Sequence, residues 1–292
     1  MTDFGKTFVY KIEQYNSNCF RIIKYNCNVF GKKNKSLFVN EEKNDNIDSD
    51  YLESSVSRSK RNIRRICLSN EFEYFCTWTV SSELADRFSV QNVQDKMREV
   101  LKDYQKKSIR YKEKIKNKRD KNRFQEFKYI YVIEKHKDGA LHFHGLVKGF
   151  IPGDLVEYNE NDFERLPYYI LDTIHKGRKI YFSKTFSENL GYCTFTKINN
   201  YNACCNYIIK YISKDPVRNE NDQIYFCSRG LTKGESWVKT SISKKFLDNG
   251  FDYFDDSGQL ICTVKDIYID NFNKDTRIDF ITEVLDPDTT LF

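Results

Sequence analysis

The chain has 292 residues, 39% hydrophobic and 31% charged, which is enough for one large domain or two modest ones with a real core. No apolar run approaches the ~20 residues that cross a bilayer and the amino terminus lacks a signal-peptide pattern, so we expect a cytoplasmic protein with no membrane partner. The net charge is +6, but eleven Asp or Glu against three Lys or Arg from Phe246 onward leave +14 on the rest, which suits a polyanionic partner.

The first part of the chain predicts strands separated by a polar stretch. Thr7–Ile12 and Phe20–Tyr25 are β-like, whereas Asn40–Ser59 is rich in Asn, Asp and Ser and is typical of a loop or linker. Glu73–Val80 alternates and is rich in aromatic and β-branched residues, which indicates a strand.

A long helix and a hairpin follow. Ser89 is a candidate N-cap for a helix with apolar residues at helical spacing. The helix continues into Lys106–Arg123, where ten Lys or Arg against two acidic residues predict an exposed helix end and loop. Lys128–Glu134 and Leu141–Lys148 read as strands, joined through Lys137–Gly139 as a hairpin.

The region 149–190 shows few clear periods, and we predict only a short strand near Ile180–Phe182. Tyr192–Thr196 predicts a further strand and Asn200–Lys214 a helix. Tyr225–Cys227 then indicates a short strand that leads into a turn.

We divide the chain into an N-terminal extension (1–60), a central domain (61–240) and an acidic C-terminal extension (241–292). The acidic extension is either solvated or shields the basic surface. In the centre, strands and helices interleave around an antiparallel hairpin. This order predicts an α+β fold with a central antiparallel sheet of about five strands and helices on one face.

A pair of histidines on the second hairpin strand forms a candidate metal site. His142 and His144 are two residues apart, so they share one face of the strand. A three-residue hairpin loop with Gly139 in the left-handed conformation pairs Glu134 with His142, on the same face. A two-residue turn would instead turn the carboxylate away, so we favour the first register. His136 is the reserve ligand.

Two imidazoles and a carboxylate with open positions suit Mn²⁺ or Mg²⁺ acting on a phosphate. The metal would act as a Lewis acid and a template. The alternative is two partly buried histidines whose hydrogen bonds are satisfied by the sheet. The nine cysteines are scattered without a C-x-x-C pair, which indicates reduced thiols and argues against zinc held by cysteine.

A stripe of tyrosine and lysine side chains lies on the predicted helix Asn200–Lys214. Tyr207, Lys210, Tyr211 and Lys214 recur at i, i+3, i+4 and i+7. A phenol has a pKa near ~10, and a lysine one turn away lowers the cost of its phenolate. The alternative is that both tyrosines are ordinary packing residues of an amphipathic helix.

Three motifs together resemble those of the HUH endonucleases, the rolling-circle replication initiators of plasmids and phages. Phe75–Thr79 is similar to their first motif, of F-x-T-L-T type, with tryptophan in place of the usual leucine. His142–His144 is similar to the histidine–hydrophobe–histidine motif, and Tyr207–Tyr211 to the Y-x-x-K motif with a second tyrosine. Ser228–Leu231 is similar to an element that follows the tyrosine helix in replication proteins of Gram-positive phages and plasmids. The resemblance covers roughly 61–234.

The resemblance implies a sheet of the RRM-like palm type and a metal-dependent nickase of single-stranded DNA. Tyr207 would attack the scissile phosphate and leave a 5′-phosphotyrosine, with Lys210 in support. Tyr211 would be a second nucleophile or a residue that stacks on DNA. Mn²⁺ or Mg²⁺ would be held by His142, His144 and Glu134.

The implied partners are single-stranded or hairpin origin DNA, a host helicase and a polymerase. Basic side chains are candidates for contacts to the DNA backbone. The candidates are Lys106, Lys107, Arg110, Lys214 and Arg229.

Other functions are compatible with the same residues. A conjugative relaxase or single-strand transposase would use the same chemistry, although relaxases usually carry the tyrosine before the histidine motif. A DNA-binding repressor on the same scaffold would lack catalysis. A zinc-dependent hydrolase would release free ends with no protein attached.

Overall fold

The computed structural model describes residues 8–26, 48–136, 138–159, 166–214, 225–239, 241–254, 258 and 260–285. Contacts divide the chain into two compact units. One, here called the central unit, is Asp50–Leu231. The other, here called the terminal unit, combines Met1–Ser49 with Thr232–Phe292.

The central unit is built on one antiparallel sheet. Its strands are β3 (Tyr74–Val80), β4 (Lys128–Lys135), β5 (Leu141–Lys148), β6 (Leu155–Glu157), β7 (Ile180–Ser183), β8 (Gly191–Lys197) and β9 (Phe226–Cys227). Their order across the sheet is β6-β7-β8-β3-β5-β4-β9, and all the pairs are antiparallel. The helices are α1 (Asp48–Ser69), α2 (Val90–Lys114), α3 (Lys118–Arg123), α4 (Tyr168–His175), α5 (Lys184–Asn189) and α6 (Tyr201–Lys214).

Helices cover both faces of this sheet. Trp78 on β3 packs with Met97 of α2 and Phe186 of α5 on one side. On the other side, Ile130 of β4 packs with residues of α1 and with Ile208 of α6. The prediction of helices on one face is therefore wrong, because the central strands carry apolar side chains on both faces and each face must be buried.

The terminal unit has a separate five-stranded antiparallel sheet. Its strands are β1 (Phe8–Gln14), β2 (Cys19–Asn26), β10 (Glu235–Lys239), β11 (Phe251–Phe254) and β12 (Leu260–Tyr268), in the order β10-β1-β2-β12-β11. Helix α7 (Lys274–Phe280) contributes Phe280 to a core with Ile12 and Phe20. Segments from both ends of the chain thus form one sheet.

Most predicted elements of the central unit are confirmed. The strands at β3, β4, β5 and β8 and the helices α2 and α6 lie within a few residues of their predicted bounds. The hydroxyl of Ser89 accepts a hydrogen bond from the Asn92 amide and caps α2. The α+β class with an antiparallel sheet is confirmed, with seven strands rather than about five.

Two regions predicted to be irregular contain regular structure. The polar stretch Asn40–Ser59 was predicted as a loop, but α1 already begins at Asp48, and 40–47 lie outside the described residues. The region 149–190 holds β6, α4 and α5 besides the predicted β7. These elements are short or polar, so they form through tertiary packing rather than local propensity.

The predicted boundaries near residues 60 and 240 stay a prediction about independent domains. The cysteines of the described residues carry free thiols, in line with the reduced state expected from the sequence. Within the described ranges, no helix has the length and apolar character needed to span a membrane.

Candidate active site

The β4–β5 hairpin sets the register that the site depends on. The amide of His136 donates to the Ala140 carbonyl at 2.8 Å and closes the turn. Gly139 has a φ of +89°, in the left-handed region that glycine adopts without strain. In this register Glu134 lies directly opposite His142, so the predicted pairing is confirmed. Lys137 in the turn lies outside the described residues.

Both histidines are oriented by threonines of β3. Thr77 pairs with His144 and Thr79 with His142 across the β3–β5 ladder. The Thr77 hydroxyl lies 3.1 Å from His144 Nδ1, and the Thr79 hydroxyl lies 3.0 Å from His142 Nδ1. Each Nδ1 is therefore held by the neighbouring strand, which fixes the ring plane and leaves Nε2 for another partner.

His144 bonds directly to the carboxylate on β4. Its Nε2 lies 2.7 Å from Glu134 Oε2, while burial lowers the pKa of His144 to about 4. Burial also lowers the pKa of His142, and neighbouring His136 and His144 add to the effect. Both rings are therefore neutral at pH 7. A neutral His144 can donate Nε2–H to Glu134 while the Thr77 hydroxyl donates to Nδ1.

The donor set is the one that a hard divalent metal takes in mixed nitrogen and oxygen sites. Among the described residues, no group of three His, Cys, Asp or Glu side chains already stands in an arrangement that could hold a metal ion. The geometry is the hydrogen-bonded form of the pair. Ligands of an octahedral Mg²⁺ lie roughly 3 Å apart, close to the 2.7 Å between His144 Nε2 and Glu134 Oε2. The threonine hydroxyl can donate or accept, so the tautomer with a free Nε2 lone pair needs no new partner.

Two tyrosines of α6 lie against His144. The ring centroid of Tyr207 is 6.0 Å from that of His144, with the ring planes at 89°. Tyr211 stacks on the same imidazole with centroids 4.5 Å apart and planes at 11°. Helix α6 contacts β4 and β5, so its Tyr207–Tyr211 face and the histidine face meet. The two constellations that the sequence placed about sixty residues apart therefore meet in one site.

The two tyrosines differ in environment. Tyr207 is 45% exposed. Tyr211 is half-buried, and burial raises its pKa, with further upward contributions from a hydrogen bond to Tyr207 and from the charge of Glu134. Because a hydrogen bond that raises a phenol's pKa stabilises its protonated form, Tyr211 is the donor and the Tyr207 oxygen the acceptor.

The predicted basic residues lie in several places. Lys210 is exposed on α6, one turn from Tyr207. Lys214 is the last residue of α6, and its side chain lies outside the described residues. Arg229 is exposed in the turn after β9.

The remaining predicted DNA contacts are not brought to the histidines. Lys106, Lys107 and Arg110 are exposed on α2, which packs on the opposite face of the sheet. Their contact with DNA stays a prediction. If it is made, it is made on a different side of the sheet from His142 and His144.

Sequence reasoning missed the role of Thr77 and Thr79. In the motif around Trp78, tryptophan is fully buried against α2 and α5, whereas the threonines on either side point to the histidines. The signal was present in the strand alternation, because residues 75, 77 and 79 share a face opposite to residue 78.

Residues 73–216 match a family of replication-associated proteins, the ORF2 type. The matched segment is slightly less than half of the chain and contains β3, the histidine pair and the tyrosine helix. No curated protein and no solved structure matches the chain. The family match supports a role in the initiation of DNA replication and, with it, DNA binding.

Proposed function

We propose that the central unit nicks and rejoins single-stranded DNA through a covalent phosphotyrosine and thereby initiates rolling-circle replication. The observation that carries the proposal is the position of Tyr207. Its exposed phenol stands edge-on to His144, beside a pair of imidazoles and a carboxylate on the same sheet face. A nucleophile next to a polar site that can bind a phosphate is the arrangement that this transfer needs.

The reaction exchanges one phosphate ester for another. The Tyr207 oxygen attacks the phosphorus and loses its proton, while the bond from phosphorus to the 3′ oxygen breaks. The departing 3′ oxygen takes up a proton and becomes a free 3′-OH that can prime synthesis. The 5′ phosphate stays bonded to Tyr207. Attack by a 3′-OH on this ester reverses the exchange, so rejoining requires no ATP.

His142, His144 and Glu134 would hold Mn²⁺ or Mg²⁺, with Thr77 and Thr79 keeping the rings in place. When bound, the metal supplies Lewis-acid polarisation of the scissile phosphate. The neutral state of both imidazoles at pH 7 leaves their lone pairs available for this role.

Lys210 and Tyr211 support the nucleophile. Lys210 is one helical turn from Tyr207, where an ammonium favours the phenolate and the charge that develops on the phosphate. Tyr211 is held protonated by burial and donates to the Tyr207 oxygen, so it positions and stabilises that oxygen. A second transfer by Tyr211 would first require its burial to be relieved.

The partners that this function requires are an origin with an unpaired or hairpin segment, a helicase that opens the duplex and a polymerase that extends the 3′-OH. The last two would come from the host.

The test uses labelled single-stranded oligonucleotides that tile the replicon, incubated with protein and Mn²⁺ or EDTA and resolved on a denaturing gel. We expect a metal-dependent covalent band that Tyr207→Phe abolishes while DNA binding is retained. Tyr168→Phe is the matched control, because Tyr168 is an 83% exposed tyrosine of the same unit. A full adduct in Tyr207→Phe would move the nucleophile, and mass spectrometry would decide whether it is Tyr211. DNA binding without any adduct would refute the nickase and indicate a repressor.

A further inference from the structure

A cavity of about 620 Å³ lies in the central unit between α2 and the edge of the sheet. It is distant from the tyrosines, because α2 packs on the sheet face opposite to His142 and His144. Residues of three separate segments line it. Among them are Arg98, Lys102, Gln105, Lys128, Ser228 and Arg229.

Hydrogen bonds hold the two walls of this groove together. Gln105 of α2 donates to the Ser228 hydroxyl at 3.0 Å, and the same hydroxyl accepts from the Tyr129 amide at 2.9 Å. Ser228 is buried, so the turn that follows it is fixed against α2. Lys128 donates to the Arg229 carbonyl at 2.9 Å and braces that turn from β4. The groove is therefore a built feature of the fold rather than a gap between loose side chains.

The lining is strongly basic. Arg98, Lys102, Lys128 and Arg229 face one carboxylate, that of Glu126, which already pairs with Lys112 at 2.9 Å. Arg98 pairs with Asp95 at 2.7 Å, but both side chains are more than half exposed, so water screens the pair and leaves the guanidinium able to bind another anion.

We propose that this groove binds the sugar–phosphate backbone of DNA at a place separate from the nicking site. The identity of the polyanion rests on the proposed function, whereas the anion preference rests on the lining alone. Arg98 and Lys102 stand about 6 Å apart along the axis of α2, with Lys128 and Arg229 on the other wall. Cations spread along two walls suit an extended backbone rather than a single small phosphate.

The position of the groove implies bipartite recognition. A strand whose phosphate reaches Tyr207 lies on one sheet face, so the backbone in the groove belongs to another segment of the same DNA. A paired stem beside the unpaired nick site is the source that we favour. Contacts to the backbone carry no sequence information, so the groove sets the register of the protein on the DNA and not the choice of bases.

The experiment measures binding by fluorescence anisotropy in EDTA at several salt concentrations, so that no strand transfer is needed. The DNA ligands are a hairpin with a single-stranded overhang and a short single strand alone. Lys102→Glu and Arg229→Glu change the groove. Lys184→Glu makes the same change of charge at an exposed lysine of α5 outside the lining. Arg229→Ala is a milder second variant, and circular dichroism checks the fold of each.

We expect each groove variant to bind the hairpin roughly tenfold more weakly than Lys184→Glu, with the salt slope reduced by about 1. An unchanged affinity for the short strand would assign the backbone to the stem, and an equal loss would assign it to the single strand. Groove variants that bind both ligands as Lys184→Glu does, or a wild-type protein that binds neither, would overturn the proposal. Covalent adduct formation is scored separately, so failure of the nickase and failure of the groove give different results.

Discussion

Gly145, directly after the histidine pair, controls how closely β5 approaches β4. A Cβ placed on Gly145 would lie 2.3 Å from the Ile130 carbonyl oxygen and 2.9 Å from Tyr131 Cβ. A carbon and a carbonyl oxygen on neighbouring strands ordinarily stay about 3.3–3.6 Å apart. Gly145→Ala must therefore move β4 away from β5 by roughly 1 Å, since the clashing oxygen belongs to the backbone and has no rotamer to change.

The cost follows from this displacement. Overpacking a well-packed site costs about 1–3 kcal/mol, and a backbone clash in the middle of two ladders belongs at the upper end. Each 1 kcal/mol lowers Tm by about 2–4 °C in a unit of 150–250 residues. We therefore expect a fall in Tm of roughly 6–12 °C for Gly145→Ala.

Thermal unfolding followed by circular dichroism measures this effect, with Gly153→Ala as the matched control. A Cβ on Gly153 meets nothing within 4 Å, and its φ of +85° leaves only the strain of a left-handed alanine. That strain is about 1–2 kcal/mol, so the control should lose less. If Gly145→Ala unfolds at or above the Tm of Gly153→Ala, the close approach of β4 and β5 is not what requires glycine.

Two further predictions concern β3. Thr77→Val should weaken Mn²⁺ binding by about 10–100-fold, because the hydroxyl that orients His144 is lost while the volume is kept. Titration calorimetry measures this, and equal affinities would contradict the orienting role. Trp78→Ala should lower the free energy of unfolding by about 3–5 kcal/mol, because this side chain is fully buried among aromatic rings. Urea unfolding measures the loss, and a change below about 1 kcal/mol would show that the core closes over the cavity.

The hairpin of the site could be predicted because its determinants are local. Gly139 fixes the turn, the turn fixes the register, and the register places Glu134 opposite His142. The same holds for α2, whose start is marked by Ser89 and whose buried face has helical spacing. In both cases the information lies within a few residues of the feature that it determines.

Helix α1 could not be predicted over its first turns because its sequence is dominated by serine and aspartate, which favour turns over helix interiors. It is stabilised further along by Ile63 and Ile66, which are buried against the sheet. The terminal sheet was out of reach for a different reason. Strand β1 pairs with β10, and β2 with β12, from the far end of the chain, and no local pattern encodes such a pairing.

The contact of Tyr211 with His144 also depends on distant packing. The helical stripe predicted that Tyr207 and Tyr211 share a face, but not which of them is buried. That difference arises because α6 lies over β4 and β5, so that its residues nearest the sheet lose solvent.

The interleaved terminal sheet has a consequence for the order of events on the ribosome. Strands β1 and β2 are complete by Asn26, but the strands that flank them begin at Glu235 and Leu260. At ~5–20 residues per second, a nascent chain carries an unflanked hairpin for roughly 10–40 s. A two-stranded hairpin is marginally stable at best in water. The central unit therefore emerges whole and can fold before the terminal unit has the strands to form its sheet.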